Sequence, residues 1–96
     1  TIVVLNDNGY GMIKWKQKSM ELADFGLSFS NPDFEVLADS FGAHGHGKKI
    51  NSPDDFEKQL ADSINSKGVH IIELPVDYSE NNKYFGIDLE RQIKEL

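Results

Sequence analysis

Two short runs rich in β-branched residues, 1–5 and 69–74, bracket a middle stretch whose apolar positions recur at helical spacing. Thr1 to Leu5 is continuous enough to predict a strand buried on both faces. Val69 to Leu74 predicts a second strand, stopped by Pro75. Phe34, Leu37, Ala38 and Phe41 fall at i, i+3, i+4 and i+7, an apolar stripe facing a core. Asn31-Pro32-Asp33 in front of them supplies a capping amide, a proline at the first helical position and an acid against the helix's positive end. Gly42 follows where a left-handed residue ends a helix. Ser52-Pro53-Asp54-Asp55 opens a further helix as a near capping box, with Phe56, Leu60, Ala61 and Ile64 as its buried stripe and Gly68 past its end. Gly47 to Ile50 predicts a short strand between these helices. Met12 to Lys18 reads as a helical turn with alternating lysines, and Ser19 to Ser30 as a loop pinned by Phe25, Leu27 and Phe29. In the tail, Ile87, Leu89, Ile93 and Leu96 are spaced for a short docking helix.

The order is strand, turn, helix, short strand, helix, strand, tail. Strands alternating with helices predict an α/β fold, a parallel sheet with flanking helices joined by right-handed crossovers. Ninety-six residues suffice for one small domain but are short for an enzyme with a closed active site. Ten basic residues against sixteen acidic ones give a net charge of −6, which argues against nucleic-acid or anionic-membrane partners. Cysteine is absent, so disulfides and thiolate metal sites are excluded; a reducing, cytoplasmic compartment is compatible with this. No apolar run approaches the roughly 18 residues of a membrane span. The chain opens at Thr1 already inside a strand, with no methionine and no leading loop. It reads as an excerpt from a longer protein, with part of any site around that strand expected upstream.

Candidate chemistry gathers where the first apolar run stops, at Asn6-Asp7-Asn8-Gly9-Tyr10-Gly11-Met12. A parallel strand ending in such residues delivers carboxylate, amide and carbonyl oxygens at its carboxyl end, where open α/β sheets place ligands. Asp7 can bind Mg2+ directly, and Gly9, lacking a side chain, can turn its carbonyl toward the same ion. On spacing alone, Asn-Asp-Asn-Gly is more simply an ordinary βα turn. Elsewhere, Lys14, Lys16 and Lys18 suit a solvated helix face better than an anion-steering one. His44 and His46 read as surface groups rather than metal ligands, and His70 as a satisfied sheet residue rather than a base. No Gly-x-Ser-x-Gly elbow supports nucleophilic hydrolysis.

Leu5-Asn6-Asp7-Asn8-Gly9-Tyr10-Gly11-Met12 resembles the second half of the thiamin diphosphate motif. Asn31-Pro32-Asp33-Phe34, Ser40-Phe41-Gly42-Ala43, Ser52-Pro53-Asp54-Asp55 and Leu74-Pro75-Val76-Asp77-Tyr78 resemble acetolactate synthases in the same order. The resemblance runs from Thr1 to about Asn81. It implies that residues 1–81 are the carboxyl-terminal half of a Rossmann-like thiamin diphosphate-binding domain and residues 82–96 a tail. Asp7 stands where the motif's second Asn gives Mg2+ a side-chain oxygen, a replacement that adds negative charge. Gly9 would give the carbonyl ligand. Asn6 would support the turn beside the diphosphate, and Tyr10, Gly11 and Met12 would run along the cofactor. The motif's opening Gly-Asp-Gly and the activating glutamate have no counterpart here, so no catalytic residue is assigned and the isolated piece is expected to be inactive. Its expected tendency is self-association through uncovered apolar faces.

By the same resemblance the parent enzyme condenses two pyruvates to 2-acetolactate with loss of CO2. It would use thiamin diphosphate and Mg2+, with the remaining domains of its chain and a homo-oligomeric assembly. Asp77-Tyr78-Ser79-Glu80-Asn81 is closer to the catabolic, flavin-independent members, which implies no FAD. Some family members carry a pocket-lining tryptophan one position later, at Lys16, so Trp15 is open between core packing and pocket wall; Gln17 is a weaker pocket candidate. Pyruvate oxidase and other keto-acid decarboxylases share the motif. A non-catalytic nucleotide-binding module is the competing class, although Gly9-Tyr10-Gly11 does not extend to a dinucleotide fingerprint.

Overall fold

The computed structural model describes residues 1–81, 83, 84, 87 and 89–95. Strands Ile2–Asn6 (β1), Gly45–Lys49 (β2) and Val69–Pro75 (β3) alternate with helices Gly11–Ser19 (α1), Phe34–Asp39 (α2), Pro53–Asn65 (α3) and Leu89–Glu95 (α4). A 3₁₀ turn at Gly42–His44 leads into β2. The strands form one parallel sheet in the order β1-β3-β2, as an α/β pattern requires. Ile2 aligns with Ile71 and Asn6 with Pro75 on one side of β3; Gly45 aligns with Val69 and Lys49 with Glu73 on the other.

Alternation along each strand assigns the two faces. On one, α2 packs on β2 and β3. Its approach depends on Gly47, where a Cβ would strike the Glu35 backbone and lie 3.1 Å from the Ala38 Cβ. On the other face α3 packs against β3, and the Thr1 hydroxyl donates to the buried Ser63 hydroxyl (3.1 Å). Among the described residues the buried apolar side chains are Leu27, Ala38, Ile50, Ile71 and Ile72. The core is therefore centred on β3.

Several expectations change. β1 is not buried on both faces: it has one strand neighbour among the described residues, and Ile2, Val3 and Leu5 are exposed. The central strand is β3, because β1 and β2 both pair with it and both packed helices lie against it. The cap of α2 is Asp33, whose carboxylate accepts from the Glu35 and Val36 N–H groups (2.9 and 3.1 Å); Asn31 is engaged elsewhere. This helix stops at Asp39, leaving Phe41 beyond it and half exposed. Gly42 does adopt a left-handed φ of 64°. Ser52 caps α3 as expected, accepting from the Asp55 N–H (3.1 Å), while the Asp55 carboxylate reaches the Asn51 N–H rather than closing a box on Ser52. Ile64 and Ala61 face solvent, and Ser63 occupies the buried position. β2 starts two residues earlier than expected and ends at Lys49. In the loop after α1, Leu27 is buried but Phe25 is 86% exposed, so Phe25 pins nothing. The tail helix forms with Ile93 exposed and Ile87, just before it, exposed as well; Leu96 lies outside the described residues, as does the Leu89 side chain.

Candidate functional site: a cleft at the carboxyl edge of the sheet

β1 and β3 are adjacent and parallel, so the segments leaving their carboxyl ends emerge side by side. The Val76 N–H donates to the Asn6 carbonyl (3.0 Å), tying the two exits together. Between them lies an open cleft of about 620 Å³, where open α/β sheets bind ligands. Its walls are the turn after β1 (Asp7, Gly9), the near side of α1 (Gly11, Lys14, Trp15, Lys18) and the strap Val76-Asp77-Tyr78-Ser79.

Two consecutive side-chain turns shape the first wall. The Asn6 Oδ1 accepts from the Asn8 N–H (3.0 Å), and the Asp7 Oδ1 accepts from the Gly9 N–H (3.1 Å). Asn8 takes a left-handed φ of 53°, which asparagine tolerates. Residues 27–29 then run antiparallel beside the turn: Tyr10 N–H donates to Leu27 O (2.9 Å), and Phe29 N–H donates to Asn8 O (3.0 Å). Every peptide bond described is trans, and a planar trans peptide points its C=O and N–H in opposite directions. Since the Tyr10 N–H faces Leu27, the Gly9 carbonyl faces away from that loop. The Gly9 N–H also points away from the loop, into the Asp7 carboxylate. Carboxylate and carbonyl thus lie on the same side of the turn.

Gly11 completes this wall. A Cβ there would collide with the Asp7 Oδ2 and come within 2.8 Å of the Tyr78 ring. The bare Cα leaves room for the carboxylate on one side and the ring on the other. Across the cleft, the Asp77 carboxylate accepts from the Ser79 N–H and hydroxyl, both at 2.8 Å. The backbone bond first, and the hydroxyl bond second, hold its pKa below the ordinary aspartate value, against a smaller opposing effect of desolvation. Lys14 pairs with Asp24 (3.4 Å) and donates to the Ser28 hydroxyl (2.9 Å).

Of the residues singled out from sequence, Asp7, Gly9 and Gly11 meet in the cleft, and Asn6 is buried beneath them. Tyr10 and Met12 are exposed and outside its walls; Tyr10 packs edge-on against Phe29 with ring centroids 5.0 Å apart. Trp15 is a wall residue, and Gln17 is half-buried away from the walls. Lys14 and Lys18 line the cleft although their spacing suggested a solvated face. His44 and His46 are exposed; His46 stacks on His70 across β2 and β3 (centroids 4.7 Å apart), and the His70 ring meets the Lys67 carbonyl. Sequence reasoning missed Asp77, Tyr78 and Ser79 as wall residues, using them only as marks of family and subtype. Their signal is positional: they follow Pro75, where β3 must end beside β1.

The donor set suits a hard cation carrying a phosphate: a carboxylate, a peptide carbonyl, and lysines at the rim. Among the described residues no three His, Asp or Glu side chains converge on one point, so such an ion would take two ligands from this turn and the rest from other groups. Among the described residues no helix is long and apolar enough to cross a membrane.

A parallel sheet with an oxygen-lined cleft at its carboxyl edge is the build of an α/β ligand-binding domain. Residues 1–74 match the model of the family described as thiamine pyrophosphate enzyme, C-terminal TPP binding domain, and the chain belongs to that family. It is 34% identical over 94 residues to the acetolactate synthase of Bacillus subtilis, covering 98% of this chain and 16% of the relative. A catabolic acetolactate synthase of Raoultella terrigena is 30% identical over 88% of the chain. The large subunit of acetolactate synthase isozyme 2 from Escherichia coli is 33% identical over 83%. The chain spans about one-sixth of the length of these relatives.

Proposed function

We propose that this chain is the part of an acetolactate synthase-like enzyme that anchors the Mg2+–diphosphate end of thiamin diphosphate (thiamine pyrophosphate). Asp7 would offer a carboxylate oxygen and Gly9 its carbonyl; Asn6 would hold the turn from below. The observation that carries this is the orientation of the turn, with both oxygens on the side away from residues 27–29 and both residues lining the cleft. Gly11 supports it by making room for the Asp7 carboxylate. Tyr10 and Met12 would run along the cofactor only outside this cleft.

When bound, the cofactor supplies the carbon centre at which keto acids are taken up, and the protein contributes geometry and charge. This chain's share is to fix one end. Asp7 and Gly9 would hold the metal, the strap 76–79 closes the opposite wall, and Lys18 offers positive charge on the α1 wall, where Lys14 is paired with Asp24. Likeness to three acetolactate synthases supports acetolactate formation by the parent enzyme, which would condense two pyruvates with release of CO2. The resemblance of Asp77-Tyr78-Ser79-Glu80-Asn81 to catabolic members is the ground for a parent that works without FAD. The setting would be a cytoplasmic homo-oligomer built with the remaining domains of the chain. Residues 1–81 would be the second half of the cofactor domain and 82–96 its tail.

The test is calorimetry of the full-length protein with thiamin diphosphate, with and without Mg2+. Asp7→Ala should weaken Mg2+-dependent binding by about 10- to 100-fold, and Asp7→Asn, which keeps an oxygen ligand, by much less. Undiminished affinity in Asp7→Ala would refute the anchoring role. Acetolactate formation by the purified 96-residue chain would refute the prediction that this piece has no turnover.

A further inference from the structure

Beneath the cleft, β3 buries a carboxylate in the middle of the sheet. Glu73 is 7% exposed and lies on the α2 side. Its Oε1 accepts from the Asn6 Nδ2 at 2.8 Å and lies 3.4 Å from the Lys49 ammonium. Lys49 is itself tied to α2, its N–H donating to the Glu35 carboxylate (2.9 Å). Burying a carboxylate costs stability unless it is paired and hydrogen-bonded. The anchoring role above gives Glu73 no contact with the metal or the cleft walls, so its presence needs another account.

We infer that Glu73 is a positioning residue: it sets the orientation of the Asn6 amide, and through it the turn that carries Asp7 and Gly9. A carboxylate can only accept, so it selects the NH2 end of the Asn6 side chain. The Oδ1 end must then point the other way. There it accepts from the Asn8 N–H (3.0 Å) and from the Asn31 Nδ2 (2.7 Å). The Asn8 N–H can only donate and the Glu73 carboxylate can only accept, so a flipped Asn6 amide would set donor against donor at one end and acceptor against acceptor at the other. The Asn31 amide, which can offer either end, turns its NH2 to match. All three bonds agree on one orientation. That orientation fixes the backbone at Asn8, one residue past Asp7 and one before Gly9. Asn31 thereby acquires a role as well: it braces Asn6 from the loop before α2 instead of capping that helix.

This inference rests on the anchoring reading, and its test separates the two. In the full-length protein, Glu73→Leu removes the acceptor and Glu73→Gln keeps one. Hydrogen exchange of the peptide spanning residues 6–10, followed by mass spectrometry without ligand, should accelerate about tenfold in Glu73→Leu, the scale of one buried hydrogen bond left unmade. Mg2+-dependent thiamin diphosphate affinity should fall about as much, and Glu73→Gln should recover both to within about threefold. Should Glu73→Leu fail to fold, Asn31→Ala removes a donor from the same Asn6 oxygen at a half-buried loop position. Exchange should then rise about threefold. Unchanged exchange in residues 6–10, or equal losses in Glu73→Leu and Glu73→Gln, overturns the positioning role. Wild-type protein that binds no Mg2+–thiamin diphosphate overturns the anchoring reading instead, and the exchange comparison still decides whether Glu73 orders the turn.

Discussion

Gly11→Ala isolates the geometry of the proposed metal turn from general stability. The new methyl group would overlap the Asp7 Oδ2 and press within 2.8 Å of the Tyr78 ring. Tyr78 is half exposed and can yield outward; the Asp7 carboxylate is the group that must rotate. Rotation breaks its bond to the Gly9 N–H (3.1 Å), a charge-assisted bond worth about 1.5–3 kcal/mol. Alanine in place of glycine at the start of α1 returns up to about 1 kcal/mol through helix propensity. The net cost to the fold is therefore about 0.5–3 kcal/mol. Cofactor affinity should suffer more, because losing the hydrogen bond that orients a metal ligand, here the Gly9 N–H on the Asp7 carboxylate, commonly costs about 10- to 100-fold in metal binding. Calorimetry of Mg2+ with thiamin diphosphate, beside thermal melting of the ligand-free full-length protein, reads both effects. Affinity within threefold of wild type would show that the Asp7 carboxylate does not need the space above Gly11, and would refute the role given to that glycine in the proposed coordination.

Two further outcomes follow from contacts elsewhere. Ser52→Ala removes the cap of α3 and should cost about 1 kcal/mol, seen as roughly fivefold faster amide exchange in the first turn of that helix with cofactor affinity unchanged. Ser79→Ala removes the hydroxyl bond to Asp77, so the Asp77 carboxyl titration, followed by NMR, should move up toward the ordinary aspartate value. The sign of the linked stability is set by the lowered native pKa: the contribution is present above the unfolded-state pKa and is lost as pH falls through the folded-state one. Wild type and Ser79→Ala should therefore differ most near neutrality and converge in acid.

Where local chemistry and tertiary demand coincide, the sequence was readable. Ser52-Pro53 starts a helix because a hydroxyl and a preset φ satisfy the first turn without outside help. The turn at 6–11 was legible for the same reason, since Asn, Asp and Gly carry their backbone preferences with them. Asn31 shows the opposite case. Its amide is as good a cap as the Asp33 carboxylate, but it is bonded to Asn6, 25 positions away, and no local rule weighs that competitor. Ser63 and Ile64 show it again, the hydroxyl buried and the apolar side chain exposed; helical periodicity does not specify the angle at which α3 meets β3.

Periodicity, caps and turn residues act over a few positions, so the type and order of the elements, and the oxygen-rich turn after β1, were decided along the chain. Strand order is a contest among distant segments. Among the described residues β3 lies between β1 and β2, because both strands pair with it and both packed helices lie against it. The same distant pairing brought Val76 to Asn6, set the strap with Asp77 and Tyr78 across from Asp7, and buried Glu73 under the turn. These depend on which segments meet in space, and spacing along a chain does not carry that information.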